Sequence, residues 1–177
     1  LKAGDNVIAV KVDNSDQPNS RWYSGCGIYR HVWMTTTGPM HFEHWGIQVA
    51  TNAKGGVYVS AKYTDEAKSG IRPSIRNTIY NAEGKIVASK ESGSTDLQLK
   101  VSRPHLWTIE DPYVYKVKTE LIVNGKTVDE IYTTTGFRDF RFDAKTGFWL
   151  NGKNFKINGV CEHHDLGALG AAFNEDA

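Results

Sequence analysis

One pattern governs most of this chain. Between Met40 and about Thr135, apolar and polar residues alternate in short runs separated by turn residues. Val57, Val59, Ala61 and Tyr63 alternate with Tyr58, Ser60 and Lys62, and Leu97, Leu99 and Val101 alternate with Asp96, Gln98 and Lys100. Tyr115, Val117 and Leu121 likewise face away from Lys116, Lys118 and Glu120. Successive side chains of a strand point to opposite faces, so a period of two with one polar face describes an antiparallel strand covered on one side. The alternation breaks at Lys54-Gly55-Gly56, Asn81-Ala82-Glu83-Gly84, Ser92-Gly93 and Asn124-Gly125, all suited to tight turns. No stretch carries a convincing helical period. About seven strands in about 95 residues match the size of an immunoglobulin-like sandwich. Within it, His41 and His44, both just before Trp45, point to opposite faces or sit at a bend; a metal pair needs one face, so they are read as edge or interface residues. Pro104-His105-Leu106-Trp107 forms a rigid connection whose Trp107 plugs an end of the sandwich.

Charge and composition narrow the function. Lys and Arg number 21 against 20 Asp and Glu, a net charge of +1, which gives no electrostatic footprint for nucleic acid or an anionic membrane. Apolar runs fall well short of the roughly 20 residues of a membrane-spanning helix, so the chain reads as soluble. Its start, Leu1-Lys2-Ala3-Gly4-Asp5-Asn6, reads as the middle of a domain. The compartment is therefore left open among periplasm, cell exterior and cytoplasm, with the periplasm preferred. Cys26 and Cys161 are too few for a disulfide framework and are read as free thiols, a bridge between them being the alternative. Five Trp and eight Tyr serve a core or stack on sugar rings.

The two flanks differ from the middle. Asn6 to Val12 is dense enough in Val and Ile for a buried strand, and Ile28 to Thr37 reads as a second. Between them lie the polar loop Asp13 to Ser20 and Arg21-Trp22-Tyr23-Ser24-Gly25-Cys26-Gly27. After Thr135, Gly136-Phe137-Arg138-Asp139-Phe140-Arg141-Phe142 alternates aromatic and charged residues as a linking strand would. The Asn151-Gly152 hairpin turn then leads into an apolar strand, Phe155 to Val160, ending in Glu162-His163-His164-Asp165. Asn174-Glu175-Asp176 reads as an N-cap and the acidic first turn of a helix. A strand, a polar loop and a helix start make the first unit of a β/α fold.

Five ordered motifs carry a resemblance over nearly the whole chain. They are Gly4-Asp5-Asn6-Val7-Ile8-Ala9-Val10; Asn19-Ser20-Arg21-Trp22-Tyr23-Ser24-Gly25-Cys26-Gly27-Ile28-Tyr29-Arg30-His31-Val32-Trp33; Leu106-Trp107 with Pro112-Tyr113-Val114-Tyr115; Gly136-Phe137-Arg138; and Leu150-Asn151-Gly152-Lys153 with Asn158-Gly159-Val160-Cys161-Glu162-His163-His164-Asp165. The set resembles glycoside hydrolase family 2, and within it the β-galactosidase branch. That resemblance implies an all-β chain in three parts: residues 1–38 as the last strands of a jelly-roll sugar-binding domain, 39–135 as the immunoglobulin-like sandwich, and 136–177 as a linker and the start of a TIM barrel.

Members of the family are retaining glycosidases, whose nucleophile and acid/base carboxyls stand ~5 to 5.5 Å apart. Both carboxyls come from later barrel strands. A barrel takes roughly 250 residues and about forty are present, so no catalytic residue is assigned and the chain alone is expected to be inactive. His163 matches the family histidine that contacts the sugar at the end of the first barrel strand, with a supporting or interface histidine as the alternative. The Asn19 to Tyr23 loop matches the segment that reaches the active-site mouth. Relatives often place an Asp before the aromatic residue; here Asn19, Ser20 and Arg21 stand there, which directs sugar contact to Asn19 or Trp22, or leaves a loop packed on the barrel. The implied partners are a β-galactoside or related sugar in the full-length enzyme and the remainder of the barrel, with self-association open. No metal or cofactor is expected, adjacent His163, His164 and Asp165 being a poor tetrahedral set. The rivals are a stand-alone carbohydrate-binding or adhesion module, an architectural spacer, and the β-glucuronidase or β-mannosidase branch. Phe155 to Val160 is expected to lie against the sandwich or a neighbouring copy, and Ala168 to Ala177 to fray.

Overall fold

Seven strands between Met40 and Thr135 pair into two antiparallel sheets: β1 (Met40–Thr51), β2 (Gly56–Asp65), β3 (Ser74–Tyr80), β4 (Ile86–Ser92), β5 (Asp96–Lys100), β6 (Tyr115–Val123) and β7 (Lys126–Thr135). One sheet runs β1-β2-β5 and the other β4-β3-β6-β7. They form the immunoglobulin-like sandwich that the alternation predicts. The computed structural model describes residues 3–13, 15, 27–28 and 31–161. By internal contacts the chain divides into one unit of Leu1–Thr35 with Asn158–Ala177 and a second of Thr36–Ile157.

The inward residues are those the period of two selects. Val57, Val59, Leu97, Leu99, Val101, Tyr115 and Val117 bury in one cluster with Ile79 and Phe137, and Met40, Phe42, Ala61, Ile75 and Leu121 bury in another. The hydroxyl of Thr119 donates to the amide oxygen of Asn77 at 2.7 Å, and both residues are buried in register on β6 and β3. At the sandwich edge, the Phe42 amide donates to an Asp129 carboxylate oxygen at 2.8 Å. Asn124 and Gly125 have φ of 49° and 75°, the left-handed pair of a two-residue turn between β6 and β7. Strand β1 carries a bulge in which Glu43 to Gly46 stand opposite Lys62 alone. Trp45 sits there at φ 60° and is exposed; His44 falls within the bulge, whereas His41 pairs opposite Thr64 in the ladder before it.

The same unit continues into a small meander of β8 (Phe140–Asp143), β9 (Gly147–Leu150) and β10 (Lys153–Phe155). Asn151 and Gly152 take φ of 47° and 81°, so the expected hairpin turn forms between β9 and β10. The Asp143 carboxylate accepts from the Lys145 and Thr146 amides and the Thr146 hydroxyl, which closes the β8–β9 turn and holds its pKa below the usual range.

Three expected strands are absent among the described residues. The described residues of Asn6 to Val12 and of Ile28 to Thr37 lie in no strand, and Val7, Ile8, Val32, Trp33 and Met34 are exposed. Phe155 closes β10, and residues 156–161 carry no ladder, with Ile157 and Val160 exposed. A strand is held by cross-strand pairs, and none of these segments pairs with a strand among the described residues. Strand-like composition without a partner leaves the backbone irregular. The helix start at Asn174-Glu175-Asp176 and the segment Ala168 to Ala177 lie outside the described residues.

Candidate functional site

Asn19, Trp22 and His163, the residues expected to touch sugar, lie outside the described residues, as does Cys26. The structure instead describes a framework of motif residues within the unit Thr36–Ile157. Motif residues from three places in the sequence meet at one end of the sandwich. Phe137 is fully buried, edge-on to the Tyr115 ring with centroids 4.8 Å apart. Its carbonyl accepts from the Trp107 amide at 2.9 Å, and Leu106 bridges to it. Gly136 leaves room for Trp107, since a Cβ there would lie 3.0 Å from the Trp107 Cβ. The Thr51 hydroxyl donates to the Gly136 carbonyl at 2.7 Å, and the Arg138 guanidinium lies 4.8 Å from the Trp107 ring centre. Trp107 thus closes the sandwich end, as its place after Pro104 predicts.

The meander is tied to this end by Asn151 and Asp139. The Asp139 amide donates to Asn151 Oδ1 at 3.0 Å, and the Asn151 amide donates to the Asp139 carbonyl at 2.9 Å. Asn151 Nδ2 donates to the Trp107 carbonyl at 2.9 Å, while Asp139 Oδ1 accepts from the Ala53 amide at 3.0 Å. Asn151 therefore combines a left-handed turn backbone with three hydrogen bonds. Sequence reasoning takes Asn151 as a turn and motif residue and Asp139 as one charge of a linking strand, gives neither a role at the junction, and does not single out Thr51 or Ala53. The Asp139 and Asn151 pairing has no periodic signal, because it joins residues across a strand boundary. Beside this junction, Thr51, Trp107, Gly136, Arg138 and Phe140 line a cleft of about 430 Å³.

Two other clusters resemble chemistry. His105 Nε2 lies 2.6 Å from Asp111 Oδ2, the pairing that orients a general base. The His105 ring is held between Asp111 and Tyr113, on which it stacks with centroids 4.1 Å apart. This pair fastens the loop before β6. Glu120, on the outer face of β6, is pushed down to about 2 chiefly by hydrogen bonds from Arg76, and also by Lys118 and Thr127. Every one of those bonds is structural, with Lys118 reaching on to Glu130 at 2.8 Å. Among the described residues no group of three or more His, Cys, Asp or Glu could hold a metal ion. Cys161 is an exposed free thiol.

Comparison with known proteins places this architecture. Residues 40–138, more than half of the chain, match the family model described as glycosyl hydrolases family 2. A β-galactosidase of Bacteroides ovatus is 43% identical over 97% of this chain and 22% of its own length. The crystal structure of a β-glycosidase from Bacteroides vulgatus superposes with a TM-score of 0.80 at 33% identity, covering 93% of this chain and 22% of that one. A Bacteroides uniformis β-glucuronidase superposes with a TM-score of 0.72 at 29% identity, over 93% of this chain and 23% of that one. The chain spans about a fifth of the length of these relatives. Its sandwich, its junction motifs and the family match agree, and the chain belongs to glycosyl hydrolases family 2.

Proposed function

We propose that this chain is the non-catalytic part of a retaining exo-glycosidase of the β-galactosidase type, which hydrolyses terminal β-glycosides. The observation that carries the reading is 43% identity to a β-galactosidase along 97% of the chain but only 22% of that enzyme. Residues 136–177 are the linker and the start of the barrel in this reading. His163, with Asn19 or Trp22, contacts the sugar there, and the reacting carboxyls belong to barrel strands outside residues 1–177.

The test has two arms. The 177-residue chain is expected to give no turnover of nitrophenyl β-galactoside, whereas a protein that continues it through a complete barrel hydrolyses this substrate. Clear turnover by the chain alone overturns the reading. A β-glucuronidase branch is the second reading, supported by the likeness to the Bacteroides uniformis enzyme. Faster cleavage of the β-glucuronide than of the β-galactoside by the longer protein selects it.

A further inference from the structure

The outward face of the four-stranded sheet carries a groove of about 490 Å³ that the hydrolase reading leaves unused. Tyr80, Lys116 and Thr134 form one cross-strand row along β3, β6 and β7, and Tyr132 stands two residues before Thr134 on the same face. Asn81, Ala82, Gly84, Val114 and Tyr115 border the groove's other side. The volume falls in the range of small-ligand sites, ~300–1,000 Å³.

Three features give the groove a chemical preference. Tyr132 is half exposed, and the ammonium groups of Lys116 and Lys118 each lie 5.8 Å from its ring centre. Lys118 is committed to Glu120 and Glu130, but Lys116 has no ion-pair partner among the described residues. The lining contains no carboxylate. Phenol rings offer flat apolar faces with polar rims, which suit the C–H faces of sugar rings. A single unpaired ammonium beside them suits one carboxylate of the ligand. Charge alone gains a polyanion little here, because Glu120, Glu130 and Glu91 lie on the same sheet face around Arg76 and Lys118, so ring stacking has to supply most of the binding.

We propose that this groove binds an acidic saccharide, a short chain of uronate sugars, with Tyr132 and Tyr80 stacking on the rings and Lys116 holding the carboxylate. The binding involves no hydrolysis, so the outcome of the turnover assays above leaves it standing or falling on its own data. Calorimetric titration of the whole 177-residue chain with pentagalacturonate is the test. Saturable binding is expected, weakened about tenfold by Tyr132→Ala and by Lys116→Gln. Lys116 is exposed and has no ion-pair partner among the described residues, so Lys116→Gln gives up only its contact with the Tyr132 ring and is expected to keep the fold intact, as its unfolding midpoint checks. A neutral galacto-oligosaccharide and pentaglutamate are expected to bind at least tenfold more weakly. Absence of saturation with pentagalacturonate, equal binding of pentaglutamate, or unchanged affinity in both variants overturns the proposal.

Discussion

Asn151 and Asp139 exchange two hydrogen bonds, one from the Asp139 amide to Asn151 Oδ1 and one from the Asn151 amide to the Asp139 carbonyl. This reciprocal pair, with the Asn151 Nδ2 bond to the Trp107 carbonyl, couples the β9–β10 turn to the sandwich. Replacing Asn151 with Ala removes both side-chain bonds and places a Cβ-bearing residue without a polar side chain at φ 47°. Each bond contributes about 1 kcal/mol and the left-handed backbone costs a further ~1 kcal/mol, so the meander should loosen by about 3 kcal/mol. Amide hydrogen exchange is expected to quicken across residues 139–155 while β2 and β6 stay protected. Equal protection of residues 139–155 in the variant and the parent sinks this account of the junction.

Glycine at position 55 is set by sterics rather than by flexibility. Its carbonyl accepts from the Val101 amide at 2.9 Å, and a Cβ would lie 2.1 Å from the Val101 carbonyl oxygen, at φ +83°. Gly125 shares the positive φ, at +75°, but a Cβ there meets nothing within 4 Å. Gly125→Ala should therefore cost about 1 kcal/mol, the left-handed penalty alone, and Gly55→Ala more than about 3 kcal/mol because backbone must move. Urea unfolding of the two variants checks the difference. Similar losses would show that the β1–β2 turn yields.

How much of this could be read in advance depends on whether a signal is local. Period two correctly marks Val57, Val59, Leu97, Leu99, Tyr115 and Val117 as inward, because one buried face leaves its imprint on every second residue. Asn124-Gly125 and Asn151-Gly152 are legible because a two-residue turn demands left-handed backbone at both positions. Glu120 is not: alternation puts it with Lys116 and Lys118 on a polar face, yet it is buried by Arg76, Lys118 and Thr127 from three strands. Val7, Ile8, Val32 and Trp33 show the converse, where strand-forming composition meets no partner among the described residues and makes no strand. Of the site, the Trp107 and Phe137 framework follows from the motifs, while Asp139 owes its role to partners twelve and 86 residues away.

The Arg76, Lys118 and Thr127 contacts make acid the condition that weakens this sheet. Glu120 titrates at about 2 in the folded chain against an ordinary 4.5, so its stabilising share is complete above about 4.5 and is lost as pH falls toward 2. The screened value of that share is on the order of 1–2 kcal/mol. Glu120→Gln should lower stability at neutral pH and flatten the decline between pH ~5 and ~2.5. Denaturant unfolding at a series of pH values gives the comparison. Parallel curves for parent and variant would place the acid sensitivity in other carboxylates such as Asp96 and Asp143, which also titrate low.

Between the two apolar clusters, Asn77 and Thr119 put a polar pair where the rest of the core is hydrocarbon. Asn77 Oδ1 is satisfied, but Nδ2 is buried without a partner among the described residues. Removing the hydroxyl alone, by Thr119→Val, leaves the whole Asn77 amide unpaired and should cost about 1–3 kcal/mol. Replacing both, by Asn77→Leu with Thr119→Val, removes every buried polar atom at the site. It should restore stability to at least the parent level, because the lone Nδ2 already carries a desolvation cost in the native chain. The two substitutions touch one contact, so their effects must be non-additive. Tryptophan emission during urea unfolding of the parent, both single variants and the double variant measures that coupling. A double variant less stable than the parent would mean the pair is net stabilising despite its unmatched donor.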